Sequence, residues 1–225
     1  MYRLILFDID GTLIHTGGAG EKAFSKVISS QFNIPDGTAE LDFAGRTDLA
    51  IIRDFFHRHD IEPSPAHFTQ FLDHYVFWLD HFLQTDPGTA LPGVLPLLHN
   101  LNNHPAHPTL GLLTGNIRLG AQIKLSSYQL WDFFVTGGFA DDGEDRATVA
   151  AAAFRRGRQL LSNDLKPGEV LVIGDTPRDI ACAQSIKAHV LAVATGRFSV
   201  KQLQEHKPTF ITTRLDEISA DQLAC

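Results

Sequence analysis

A parallel α/β sheet with a helical module inserted after its first strand is the fold class this sequence predicts. Three observations predict it. Short, near-continuous apolar runs recur along the chain, and each ends near Gly, Thr or Asp. Segments of helical character lie between them, so strands alternate with helices. The span between about 17 and 87 breaks this rhythm: it holds no strand-like run and carries its apolar residues at helical spacing. Strands covered on both faces read as continuous apolar runs rather than alternating ones, which argues a parallel sheet with helices on either side.

The elements follow in order. The first strand is "RLILFDI" at 3–9. Gly17-Gly18 then opens the inserted span, and Asp86-Pro87-Gly88 closes it. Inside it, three groups recur at helical spacing: Phe24, Val27, Ile28 and Phe32; Leu49, Ile52, Phe55 and Phe56; and Phe68, Phe71, Leu72, Tyr75, Trp78, Leu79 and Phe82. The second strand is "TLGLLTG" at 109–115, followed by the helical segment "IRLGAQIKLSSYQL". Ala-rich "RATVAAAAFRRGRQLL" precedes the third strand, "EVLVIGD" at 169–175. "PRDIACAQSIKA" follows it, with Pro177 in the first turn, where proline is tolerated. "HVLAVATG" at 189–196 and "TFITT" at 209–213 complete a Rossmann-like sheet. The reading divides the chain into an α/β core, 1–16 and 88–225, and an all-helical module, 17–87.

Composition excludes several classes of function. The 225 residues, 44% of them hydrophobic, are ample for a real core. A net charge of -7, from 19 Lys+Arg against 26 Asp+Glu, argues against non-specific binding of nucleic acid or anionic membrane. Cys182 and Cys225 form neither a disulfide framework nor a zinc spacing; Cys182 reads as a small buried hydrophobe and Cys225 as a frayed terminal residue. No stretch approaches the roughly 18 apolar residues of a membrane span. The first apolar run is broken by Asp8 and lacks a cleavage site, so a reducing, cytoplasmic setting is expected. The histidines, His57, His59, His104 and His107 among them, show no ligand spacing and read as solvated or locally hydrogen-bonded. Nothing in the pattern fixes an oligomeric state.

In open α/β sheets ligands bind beyond the carboxyl ends of the strands. The first strand ends in Asp8-Ile9-Asp10-Gly11-Thr12, the second in Thr114-Gly115-Asn116, and the third in Gly174-Asp175-Thr176-Pro177-Arg178-Asp179. Residues i and i+2 share a side while the chain is extended, so Asp8 and Asp10 can sit together at one strand end. Clustered carboxylates repel one another, and they stay ionised together if a hard cation such as Mg²⁺ lies among them.

These motifs, in this order over nearly the whole chain, resemble the haloacid dehalogenase superfamily in its phosphatase branch, of phosphoglycolate-phosphatase-like type. The carriers are D-x-D-G-T at Asp8–Thr12, an apolar strand ending in Thr114-Gly115-Asn116, and G-D-x-x-x-D at Gly174–Asp179. The helical insertion resembles that family's C1-type cap. The resemblance implies a Mg²⁺-dependent phosphatase acting on a small phosphate ester through an aspartyl-phosphate, with no nucleic-acid or membrane partner. It makes Asp8 the nucleophile and Asp10 the general acid and base. It assigns the metal to the Asp8 side chain, the Asp10 backbone carbonyl and Asp175. Thr114, with backbone N–H groups near Gly115 and Asn116, would hold a phosphoryl oxygen. Asp179 stands behind this set or caps the following helix.

One position departs from the family. Relatives carry a Lys between the second and third motifs, paired near the nucleophile and the phosphate. Here Arg146 occupies the helix start, 29 residues before Asp175, and is expected to take that role; a surface Arg paired with Asp141, Asp142, Glu144 or Asp145 is the alternative. Lys166 should be remote, at the far end of its strand. Lys124, a turn or more into a helix, is expected to cover a surface. Lys187 stands where relatives often have a helix-ending Gly. In Ala44-Gly45-Arg46-Thr47-Asp48, Arg46 is a candidate for an anionic substrate group, and Thr47 equally a helix N-cap. The cap should choose the substrate and, by closing, exclude water. A phosphomutase of the β-phosphoglucomutase type shares every motif and is the alternative function. A 2-haloacid dehalogenase has no use for the Asp10-Gly11-Thr12 run, and a non-enzymatic binding module would be free to lose acids that are all present here.

Overall fold

The structure, a computed structural model, describes residues 1–224; Cys225 lies outside them. The chain begins with β1 (Leu4–Phe7) and a short β2 (Ile14–His15), then runs through α1 (Ala19–Gln31), α2 (Asp48–Arg58) and α3 (Pro65–Thr85). It returns through β3 (Thr89–Ala90), which pairs antiparallel with β2, so both connections of the insertion pass through one two-stranded ribbon. α4 (Val94–Asn102), β4 (Thr109–Leu113), α5 (Arg118–Ser127), β5 (Thr136–Gly138) and α6 (Arg146–Leu160) follow. β6 (Val170–Gly174), α7 (Pro177–Ser185), β7 (His189–Val193), α8 (Val200–Glu205), β8 (Phe210–Thr212) and α9 (Ala220–Ala224) complete the described chain.

Six strands form one parallel sheet in the order β5-β4-β1-β6-β7-β8. β1 lies between β4 and β6, with Phe7 level with Leu112 on one side and Ile173 on the other. The chain builds outward from β1 to β5 and then crosses back to β6, and the topological switch falls beside β1. The side chains of β1 alternate: Ile5 and Phe7 join the layer with α4, α5 and α9, while Leu4 and Leu6 join the layer with α6, α7 and α8. This is the two-faced burial that the apolar runs predict. Cys182 is buried in the second layer as a free thiol.

β5 is a strand that none of the apolar runs marks. Its sequence is Thr-Gly-Gly, which offers no apolar signal. The glycines have a steric reason: a Cβ on Gly138 would lie 2.3 Å from the Val149 carbonyl oxygen, so α6 packs directly onto the strand's backbone.

The inserted helices bury a core of their own. Phe24, Val27 and Ile28 of α1, Ile52, Phe55 and Phe56 of α2, and Phe71, Tyr75 and Leu79 of α3 are buried together, with Phe32, Leu49, Phe68, Leu72, Trp78 and Phe82 packed against them. Every apolar position marked by helical spacing is therefore in this cluster or against it. Each fully buried Phe contributes on the order of 1.5–3 kcal/mol. Thr47 and Ser64 cap α2 and α3, accepting hydrogen bonds from the Ala50 and His67 amides. Ile117, from just beyond the sheet's second motif, also joins this cluster and ties it to the core. Among the described residues, no helix is long and apolar enough to cross a membrane.

Candidate active site

The three acidic or hydroxyl-bearing strand ends converge beside the switch. Asp8 leaves β1 with its amide donating to the Ile173 carbonyl at 2.9 Å, Thr114 follows β4, and Asp175 follows β6. All three are buried and line one cavity of about 350 Å³ between the sheet and the inserted helices. Asp10 is more open.

Arg146 reaches this cluster from the first residue of α6. Its guanidinium donates through Nη2 to Asp179 Oδ1, places Nη1 3.7 Å from Asp8 Oδ1, and donates through Nε to Cys182 Sγ at 3.5 Å. The surface alternative does not arise: Asp142 pairs with Arg156, Glu144 with Arg53, and Asp145 caps α6. Burial alone would lower the Arg146 pKa; the groups around it, Asp179 first and then Cys182 and Asp8, together outweigh burial and raise it. The residue stays a cation.

Asp179 serves as both helix cap and site residue. Its Oδ2 accepts from the Thr176 amide at 3.0 Å and the Thr176 hydroxyl at 2.7 Å, closing a capping box at the start of α7, while Oδ1 holds Arg146. One oxygen each of Asp8, Asp175 and Asp179 lie within 4.8 Å of one another. Because both oxygens of Asp179 are already taken, Asp8 and Asp175 are the pair with oxygens to offer a cation. Burial, aided by the charge of Asp179, pushes Asp8 well up and Asp175 to about 8. Three carboxylates face one guanidinium, and the donors are hard oxygens. That excess of negative charge fits a divalent cation such as Mg²⁺.

Lys124 corrects the sequence reading. It does not cover a surface. Its ammonium is buried, donating to Asp10 Oδ2 and to Asn116 Oδ1, each at 2.6 Å. Asn116 in turn donates through Nδ2 to Asp10 Oδ2 and Thr114 Oγ1, both at 2.8 Å. The sequence does carry a signal: Ile117, Ala121, Lys124 and Leu125 fall on one helical face at i, i+4, i+7 and i+8, so Lys124 is a cation within a buried apolar stripe. Lys166 is exposed at the opposite end of β6, as expected.

The inserted helices meet the second motif backbone to backbone. A Cβ on Gly115 would lie 2.1 Å from the Arg46 carbonyl oxygen, so only glycine admits this approach. The Asp48 amide donates to the Gly115 carbonyl at 2.7 Å, and Asp48 Oδ2 accepts from the Ile117 amide at 2.8 Å. Asp48, which closes the stretch that holds Arg46 and has no role in the sequence reading, is buried, and burial pushes its pKa up to about 7. Arg46 lines the cavity, but its guanidinium is turned onto α2, donating to Asp54 Oδ2 at 2.9 Å and the Ala50 carbonyl at 3.0 Å. Thr47 is the N-cap of α2, and its hydroxyl also donates to the Glu144 carbonyl at 2.7 Å.

The parallel sheet thus gathers paired aspartates at its central strand end, a hydroxyl at the next and a buried cation beside them around one cavity. The chain belongs to the haloacid dehalogenase-like hydrolases, whose family model matches residues 2–187. It is 27% identical over 217 residues to pyrophosphatase PpaX of Oceanobacillus iheyensis, covering 96% of this chain and 94% of that one. It is 28% identical over 191 residues to hexitol phosphatase A of Escherichia coli, covering 84% and 81%. The structure of CbbY from Rhodobacter sphaeroides in complex with phosphate shares the fold, with a TM-score of 0.73 at 14% identity over 96% of each chain. With phosphatases as its relatives, the enzyme class that follows is phosphoric monoester hydrolase.

Proposed function

We propose that this enzyme hydrolyses a small phosphorylated metabolite through an aspartyl-phosphate on Asp8, with Mg²⁺ bound by the Asp8 and Asp175 side chains and the Asp10 carbonyl. The observation that carries the reading is the convergence of Asp8, Thr114 and Arg146 at neighbouring strand ends within one cavity. When bound, Mg²⁺ supplies positive charge that keeps the buried acids ionised and offsets their repulsion of a phosphate.

The chain's own groups account for the rest. Thr114 Oγ1 accepts from the Asn116 amide at 3.2 Å and from its side chain, which leaves the hydroxyl proton free to donate to a phosphoryl oxygen. Arg146 Nη1 lies 3.7 Å from Asp8 Oδ1 and close to Gly115, where it can neutralise a second phosphoryl oxygen. Asp8 attacks phosphorus, and the ester P–O bond breaks as Asp10 gives a proton to the departing oxygen. Asp10 then takes a proton from the water that attacks the aspartyl-phosphate, and phosphate leaves with Asp8 restored.

Residues 17–87 act in this reading as a cap, closing on Gly17-Gly18 and the β2–β3 ribbon. The closed contacts at Gly115, Ile117 and Glu144 support it, as do the aromatic walls of Phe24, Phe43 and Tyr75. A cavity this size suits a small soluble ester. Two further cations that line it are already matched, Arg46 by Asp54 and Arg197 by Glu21, which favours one phosphate over the two that a mutase must hold. The test is phosphate release from hexitol phosphates, phosphoglycolate, nucleotides and pyrophosphate, with and without Mg²⁺. Wild type and Asp8→Asn giving the same release, or none, defeats the proposal; isomerisation of a hexose phosphate outrunning phosphate release makes the enzyme a mutase.

A further inference from the structure

We infer that Lys124 is a positioning residue for the reaction, holding Asp10 in place for proton transfer to the leaving oxygen; the inference rests on the phosphatase reading above. A buried ammonium is costly unless it is paired and its donors are used. Lys124 is 4% exposed and spends two donors on one small ring, Asp10 Oδ2 and Asn116 Oδ1. Asn116 closes the ring by donating to the same Asp10 oxygen, and it joins that ring to Thr114. Asp10 Oδ2 is therefore held from two sides. Among the described residues no hydrogen bond engages Asp10 Oδ1, which leaves Oδ1 as the oxygen able to meet the leaving group.

The arrangement also bears on charge. When the Asp10 O–H bond breaks and its proton passes to the ester oxygen, that oxygen keeps the electron pair of the broken P–O bond, and Asp10 becomes a carboxylate. The new negative charge grows beside the Lys124 ammonium and the Asn116 amide, both fixed beforehand, which is how preorganised donors lower a barrier. The cap completes the setting. A Cβ on Gly20 of α1 would lie 3.6 Å from Lys124 Nζ, so α1 covers the ammonium, and the Tyr75 hydroxyl of α3 lies 4.0 Å from the same point. The lysine that relatives place near the nucleophile is thus answered by two cations here, Arg146 at Asp8 and Lys124 at Asp10.

The test compares two leaving groups. An alkoxide needs a proton as it departs, whereas p-nitrophenolate leaves without one. In Lys124→Met, kcat/KM for the fastest alkyl phosphate among sorbitol 6-phosphate, glycerol 3-phosphate and phosphoglycolate should fall roughly 100-fold, and that for p-nitrophenyl phosphate by less than about 5-fold. Lys124→Arg should recover most of the alkyl activity. Equal losses on both substrates mean that Lys124 only supports the structure, and they overturn the inference. If Lys124→Met does not fold, as judged by its melting curve, Lys124→Gln carries the same comparison. Failure of the parent reading looks different: wild type then releases phosphate from neither class of ester, and this inference falls with it.

Discussion

Replacing Asp48 by Asn should make the enzyme more stable at pH 8 while leaving it nearly unchanged near pH 4. Asp48 is fully enclosed between α2 and the start of α5, and burial raises its pKa from 3.8 to about 7 against the lowering influence of Lys124 and the Ile117 amide. A carboxyl whose folded pKa exceeds its unfolded one favours the folded state while protonated. Stability is therefore lost as pH rises from about 4 to about 7, and the deficit stays constant above that. At about 1.4 kcal/mol per pKa unit, a shift of about three units is worth on the order of 4 kcal/mol, of which roughly 2–3 kcal/mol falls between pH 5 and pH 8. The asparagine keeps an oxygen for the Ile117 amide and has no charge to desolvate. Urea unfolding of both proteins at pH 5, 6, 7 and 8 measures the difference. A stability gap that stays flat across this range, or an Asn variant that is weaker at pH 8, refutes the reasoning.

Further outcomes are expected at three positions. Arg146→Ala strips the buried acids of their cation and should lower kcat about 10²–10³-fold while costing roughly 3–5 kcal/mol in stability. Arg146→Lys should keep part of the rate, because an ammonium reaches Asp8 or Asp179 but not both in the fork of a guanidinium; an Ala variant within about threefold of wild type would show that Arg146 does not stand in for the family's lysine. Gly115→Ala drives a methyl into the Arg46 carbonyl. It should cost about 1–3 kcal/mol in the closed form, read as a rise in KM and faster proteolysis between 17 and 88. Lys187 sits at the C′ position of α7 with φ 57°, its amide donating to Gln184 and that of Ala188 to Ala183. Lys187→Gly should therefore raise stability by about 0.5–1 kcal/mol, measured by thermal melting.

Much of this arrangement is legible in the sequence, because the strands are buried on both faces and announce themselves as apolar runs. The inserted helices are equally plain, since each buries a wide apolar stripe of Phe and Leu. What escapes reading depends on contacts across the fold. β5 is two-thirds glycine, and its reason for being so is the backbone of α6, which no local pattern reveals. Arg146 is legible because a motif asks for a cation near its position. Lys124 reads as a surface residue, since a helical lysine usually reaches water; its burial shows only when its apolar companions Ile117, Ala121 and Leu125 are laid on one face. Asp48 gives less warning still. An acid in a helix's first turn is ordinary, and its enclosure comes from a segment 69 positions away.

The divided carboxylate of Asp179 has a consequence for how the enzyme can move. One oxygen fastens the first turn of α7 and the other fastens Arg146, while α7 and α6 each pack onto the same side of the sheet. The cation beside Asp8 and the frame behind it thus form a single joint, and shifting one drags the other. The opposite wall, made by the inserted helices, meets the core through backbone hydrogen bonds, the Arg53–Glu144 ion pair and the buried Ile117. If the inserted helices select the ester, as proposed, a change of roof exchanges the guest while the floor stays the same.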